Sequence, residues 1–105
     1  MVGYTIFKTP ISTDYKFRDF DANKFQMIDY VPVYAGEFEF NGNSSLEKLF
    51  IKFNAEDEMP KDYHSSSMST SDVIMVTDEN NNHRFFYVQM IGFSEITDYV
   101  RRNLK

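Results

Sequence analysis

Apolar and polar positions change their period several times along this chain, and each change marks a predicted element. Gly3 to Lys8 reads as a short strand, followed by Pro10. Val33 to Phe40 alternates most cleanly, with Tyr34, Phe38 and Phe40 on one face and Glu37 and Glu39 on the other. That period of two belongs to a half-buried strand. Pro32 at its start is tolerated there, and Asn41-Gly42 turns the chain after it. From Asn43 to Asn54 the period lengthens. Leu46, Leu49, Phe50 and Phe53 recur at helical spacing and make one apolar stripe, and Ser44 with Glu47 has the spacing of a capping box.

Ala55 to Ser71 shows no period and contains Pro60, which predicts a long loop of the kind that often carries function. Val73 to Thr77 is apolar on both faces, as in a central strand. Asp78 to His83 reads as a polar turn, and Phe85 to Ile91 as the returning arm of a hairpin. Gly92 breaks that strand. Ser94 is then placed as the N-cap of a short helix carrying Ile96, Tyr99 and Val100, with Arg101 and Arg102 in its last turn. Ser12 to Tyr30 alternates only weakly and reads as an irregular arm, with a helical turn within Ala22 to Ile28. The order β-β-α-β-β-α predicts an α+β fold: a small, mainly antiparallel β-sheet with two helices packed on one face.

At 105 residues the chain reads as a single domain, residues 1–105. That size buries roughly two thirds of the unfolded surface. The absence of cysteine excludes disulfides and thiolate metal sites and fits a reducing cytosol. The first residues do not follow a signal-peptide pattern, and no apolar stretch approaches the roughly 20 residues a bilayer requires. A soluble, cytoplasmic protein with no membrane partner is expected. Net charge is −5, from 11 basic and 16 acidic residues, which argues against a general nucleic-acid binder. Between Glu56 and Glu79, seven acids face one base, Lys61. Such a stretch is either a solvated surface or a face that docks on a basic groove. Eleven Phe and seven Tyr, with no Trp, exceed what a core of this size is expected to enclose, so some should stand at the surface as anchors.

His64, the five serines between Ser65 and Ser71, and Asp72 supply the residue types of a hydrolytic triad. No strained nucleophile turn surrounds any of these serines and nothing orients the histidine, so no catalytic residue is expected there. Ser69, Thr70 and Ser71 read instead as a hydroxyl-rich turn before the strand. Asp57, Glu58, Asp62 and His64 are the side chains that would gather a divalent cation, but their spacing resembles no calcium loop, and neither metal nor cofactor is expected. Tyr15-Lys16-Phe17-Arg18 interleaves aromatic and basic groups, as in stacking sites for unpaired bases. Asp14, Asp19 and Asp21 surround it, and the competing reading is an arm whose Phe17, Phe20 and Phe25 cover the sheet edge. Phosphate-binding glycine loops, a zinc-protease helix and a helix-turn-helix pattern are all missing, so a nucleotide-dependent enzyme is not expected.

Five segments, taken together, carry a resemblance: Lys16-Phe17-Arg18-Asp19-Phe20-Asp21, Tyr34-Ala35-Gly36, Leu46 to Asn54, Ser67-Met68-Ser69-Thr70-Ser71-Asp72-Val73-Ile74, and Tyr87-Val88-Gln89-Met90-Ile91-Gly92-Phe93. Between Tyr4 and about Tyr99 the chain resembles the YodL-like domain family of bacterial and mobile-element proteins. The family often places a Gly and a basic or His residue just before the first serine. Ser65 and Ser66 stand there in this chain, with His64 slightly upstream. The resemblance implies an accessory protein of a plasmid or conjugative element. An acidic, cysteine-free domain of this length also resembles anti-CRISPR proteins that act on type II effectors. What this implies is a non-enzymatic inhibitor of host defence that binds a CRISPR effector nuclease, or its guide RNA, in a basic channel and hinders guide loading or DNA engagement. On that reading Tyr15, Lys16 and Arg18 of the arm and Glu56, Asp57, Glu58, Asp62, Tyr63 and His64 of the loop face the partner. Two alternatives stand beside it. One is a metal-dependent guide-RNA nuclease or RNA-processing factor using His64, Asp62 and Asp72. The other is an accessory module of a conjugative element with no part in defence.

Overall fold

Val73–Thr77, the segment with apolar residues on both sides, forms strand β3 at the centre of a five-stranded sheet in the computed structural model, which describes residues 1–103. In chain order the other strands are β1 (Val2–Lys8), β2 (Val31–Phe38), β4 (His83–Val88) and β5 (Phe93–Glu95). They lie in the order β2-β1-β3-β4-β5, and every neighbouring pair is antiparallel. The helices are α1 (Asn43–Lys52) and α2 (Thr97–Arg102).

The expected class, antiparallel sheet and pair of helices are all present, but the helices do not share a face. On one side Tyr4, Ile6, Ile74, Val76, Phe86 and Val88 pack against Leu46 and Leu49 of α1 and against Phe53 just beyond it. On the other side Val73, Phe85 and Tyr87 pack against Val100 of α2 and against Tyr15, Phe25 and Tyr30 of the arm. The physical reason lies in β3 and β4, which are apolar on both faces. Leaving Val73, Phe85 and Tyr87 in water would forfeit about 1.5–3 kcal/mol for each large side chain.

Several local expectations are also corrected. Strand β2 starts and ends earlier than Val33–Phe40, and Pro32 lies inside it; an edge strand tolerates the missing donor because only one side of it is paired. The Ser44–Glu47 capping box does not form. Gly42 is the N-cap residue of α1, without a side-chain cap, and the Ser45 hydroxyl instead accepts the Asn41 N–H at 2.7 Å. Strand β4 ends at Val88, short of the expected Ile91. Gly92, at φ 79°, turns the chain so that Phe93–Glu95 pairs back onto β4 as an additional strand. Ser94 therefore sits opposite Tyr87 in the sheet and caps nothing. Helix α2 begins only after Ile96, and its Thr97 hydroxyl accepts the Phe85 N–H at 2.9 Å. The arm is, as expected, irregular: a succession of turns, with a helical turn closed by the Phe25 N–H on the Asp21 carbonyl at 2.9 Å and a 3-10 turn at Met27–Asp29.

Among the described residues, no helix is long and apolar enough to cross a membrane.

Candidate functional site

The arm is joined to the sheet where Phe17 to Phe20 bond, residue by residue, to Ser71 and to Tyr87–Met90, 54 to 71 positions away. The Phe17 N–H donates to Ser71 Oγ at 3.0 Å, and the Tyr87 hydroxyl donates to the Arg18 carbonyl at 2.8 Å. The Met90 N–H donates to Asp19 Oδ1 at 2.6 Å, and the Phe20 N–H donates to Gln89 Oε1 at 2.8 Å. Tyr30 adds a hydroxyl bond of 2.6 Å to the Ser71 carbonyl. Phe17 and Ser71 both sit at positive φ, 67° and 83°, and are bonded to one another. Left-handed backbone at bulky residues persists only where the surroundings over-determine it, and here the interlock does so.

Beneath this junction lies Asp72, fully buried. Its Oδ2 is 2.6 Å from Lys8 Nζ and accepts the Ser69 N–H at 2.9 Å. Lys8 Nζ also donates to the Ser67 carbonyl at 2.9 Å. Lys16 Nζ donates to the Thr9 carbonyl at 2.9 Å and lies 3.9 Å from Asp72 Oδ1, which has no hydrogen-bond partner. Burial pushes the Asp72 carboxyl above its ordinary range, against the opposing pull of Lys8. Burial likewise lowers the Lys16 ammonium, with Asp72 opposing. The hydroxyl turn and Asp72 are thus structural: Ser71 and Asp72 are both inaccessible and committed to neighbours.

The partner-facing residues expected from the sequence divide between two regions. Tyr15 is buried, and its hydroxyl donates to Asp29 at 2.8 Å, so it builds the core instead of offering a surface. Lys16 is half-buried beside Asp72, while Arg18 is exposed. In the loop, Glu56, Asp57, Glu58, Asp62 and His64 are exposed. Glu56, Asp57 and Glu58 follow α1 on a turn closed by bonds from Glu58 N–H and Met59 N–H to the Ala55 carbonyl. Asp62 accepts the Tyr34 hydroxyl at 2.9 Å. Tyr63 is buried against Phe53, with ring centroids 4.8 Å apart, and is not an exposed anchor. The long loop is tied down by this tyrosine and by buried Met68. The surplus aromatics are largely absorbed into the two cores, because the fold has two apolar layers where one was expected. Asp62, His64 and Asp72 form no common centre, since the first two are exposed and the third is sealed. Among the described residues, no group of three or more His, Asp or Glu side chains is gathered as metal ligands would be.

Met90 and Ile91 do not continue the strand that the apolar pattern carries to Ile91. They stand instead at the tip of the turn between β4 and β5, 73% and 94% exposed. Beside them a groove of about 220 Å³ runs between α1 and this turn, lined by Glu47, Phe50, Ile51, Val88, Gln89, Met90, Gly92 and Phe93. The available signal was Gly92, which follows Ile91 directly and supplies the positive φ of a turn.

A family model described as YodL-like domain matches residues 7–99. No curated protein and no solved structure matches the chain.

Proposed function

This chain belongs to the YodL-like domain family, and on that premise we propose that it is a non-catalytic, mobile-element-encoded inhibitor that binds a type II CRISPR effector nuclease and hinders guide-RNA loading or DNA engagement. The observation that carries the reading is the acidic turn after α1. Glu56, Asp57 and Glu58 are exposed, and none of them takes part in an ion pair among the described residues. These carboxylates have no ion pair within the domain to break, a basic channel offsets the hydration they give up, and their field speeds the encounter. The serine-rich segment supports binding over catalysis, because its Ser71 and Asp72 are sealed and used to hold the arm.

The test is a pull-down of the purified effector nuclease by this protein, with guide RNA added before or after it. Binding that guide RNA blocks when added first is the expected result. Reversing Glu56, Asp57 and Glu58 to Lys should slow association about tenfold or more at low salt. Absence of binding in either order removes the reading. Guide RNA cleaved in the presence of Mg²⁺ but not of chelator would replace it with the nuclease alternative.

A further inference from the structure

Turn tips are usually polar, yet the tip of the β4–β5 connection is Met90-Ile91, and its backbone is held from several sides. The Gln89 N–H bonds the Gly92 carbonyl at 3.0 Å across the turn. Asp19 fixes the Met90 N–H, and the Gln89 side chain is fixed by the Phe20 N–H. The result is a rigid backbone carrying two large apolar side chains in water, with Ile51 of α1 also 59% exposed across the groove. The backbone beneath these side chains is already ordered, so docking costs chiefly their own rotamer freedom, which the apolar area they bury offsets. Among the described residues, Glu47 is the only charged residue lining the groove.

We propose that Met90 and Ile91 form the anchor by which this domain enters an apolar pocket on a protein partner, a pocket edged by a Lys or Arg that pairs with Glu47. The apolar tip provides contact area, and Glu47 sets the charge of the complementary surface. A basic rim suits an acidic domain of net charge −5, whereas a second copy carries the same net negative charge. The identity of the partner rests on the reading given under Proposed function, while the choice of binding face is independent of the acidic turn.

The experiment measures binding kinetics of the effector nuclease with wild type, Met90→Ser/Ile91→Ser, Glu47→Lys and the Glu56/Asp57/Glu58 reversal, alongside the molar mass of each protein in solution. The mutated side chains are exposed, so thermal unfolding should stay within a few degrees of wild type. Met90→Ser/Ile91→Ser should weaken binding at least tenfold, mainly through faster dissociation, and Glu47→Lys should weaken it severalfold. A wild type that binds while both groove variants bind equally well overturns this inference alone. A wild type that binds no effector overturns both this inference and the function it rests on. A wild-type dimer that Met90→Ser/Ile91→Ser converts to monomer assigns the groove to a second copy and also overturns it.

Discussion

Lys8 and Asp72, 64 positions apart, form a buried ion pair of 2.6 Å at the point where β1, β3 and the serine-rich turn meet. Neither side chain is available to solvent to any useful extent. A pair in this position joins the end of one strand to the start of its neighbour and fixes the turn through Ser67 and Ser69. Truncating one partner leaves the other charge buried and uncompensated. Asp72→Ala is therefore expected to cost about 3–5 kcal/mol in denaturant unfolding. Lys8→Met combined with Asp72→Asn removes both charges and keeps an acceptor for Ser69, so the double variant should be more stable than Asp72→Ala alone. Strict additivity of Lys8→Met and Asp72→Asn would show that the two groups are not coupled.

Gly36 lies on β2 under the ring of Tyr4. A Cβ at this position would come within 2.6 Å of the Tyr4 hydroxyl and 2.8 Å of its ring. Tyr4 is buried among Tyr34, Phe38 and Phe53, so moving its ring aside disturbs its packing with all three. Gly36→Ala should destabilise the domain by about 1–3 kcal/mol through overpacking, measured by thermal or denaturant unfolding. An unchanged midpoint would mean that the ring moves aside freely.

The arm should open locally when its bonds to the sheet are cut. Ser71→Ala removes the acceptor of the Phe17 N–H, and Gln89→Ala removes that of the Phe20 N–H. Each is expected to cost about 1 kcal/mol. Hydrogen exchange gives the sharper readout: Ser71→Ala should speed exchange at Phe17 more than at Phe20, and Gln89→Ala the reverse. Equal acceleration throughout the sheet would indicate that the arm and sheet open only as one unit.

Alkaline pH should unfold the protein cooperatively. Burial raises the Tyr4 and Tyr15 hydroxyls to about 12, from an ordinary 10.0. Burial raises Tyr30 and Tyr87 as well. A phenol raised in the folded state binds its proton more tightly there than in the unfolded chain. Its contribution is fully present below pH 10 and is lost as pH rises through the folded values. Followed together above pH 10, tyrosinate absorbance and circular dichroism should therefore show these four buried tyrosines ionising in the same step in which the fold is lost. Tyrosinate formation complete near pH 10 with native circular dichroism would contradict this.

Much of the fold is legible locally. The stripe of Leu46, Leu49 and Phe53 specifies a helix, and the two-sided apolar run Val73–Val76 specifies a central strand, because each period is matched by one backbone geometry. The arm and the site were harder to read. Lys16 to Asp21 and Tyr87 to Gly92 look unrelated in sequence, yet each supplies donors and acceptors to the other. Such pairing carries no period, so it leaves no trace along the chain.

Composition and periodicity by themselves determined the class of the fold, the order of most of its elements and the acidic stretch that begins at Glu56. Tertiary structure alone decided that the two helices lie on opposite faces, that Tyr15 and Tyr63 are core residues, and that Met90 and Ile91 point into water. The reason is that a side chain's period fixes its face within one element. Which face is then covered depends on residues brought from elsewhere in the chain, here by an arm that binds to one side of the sheet.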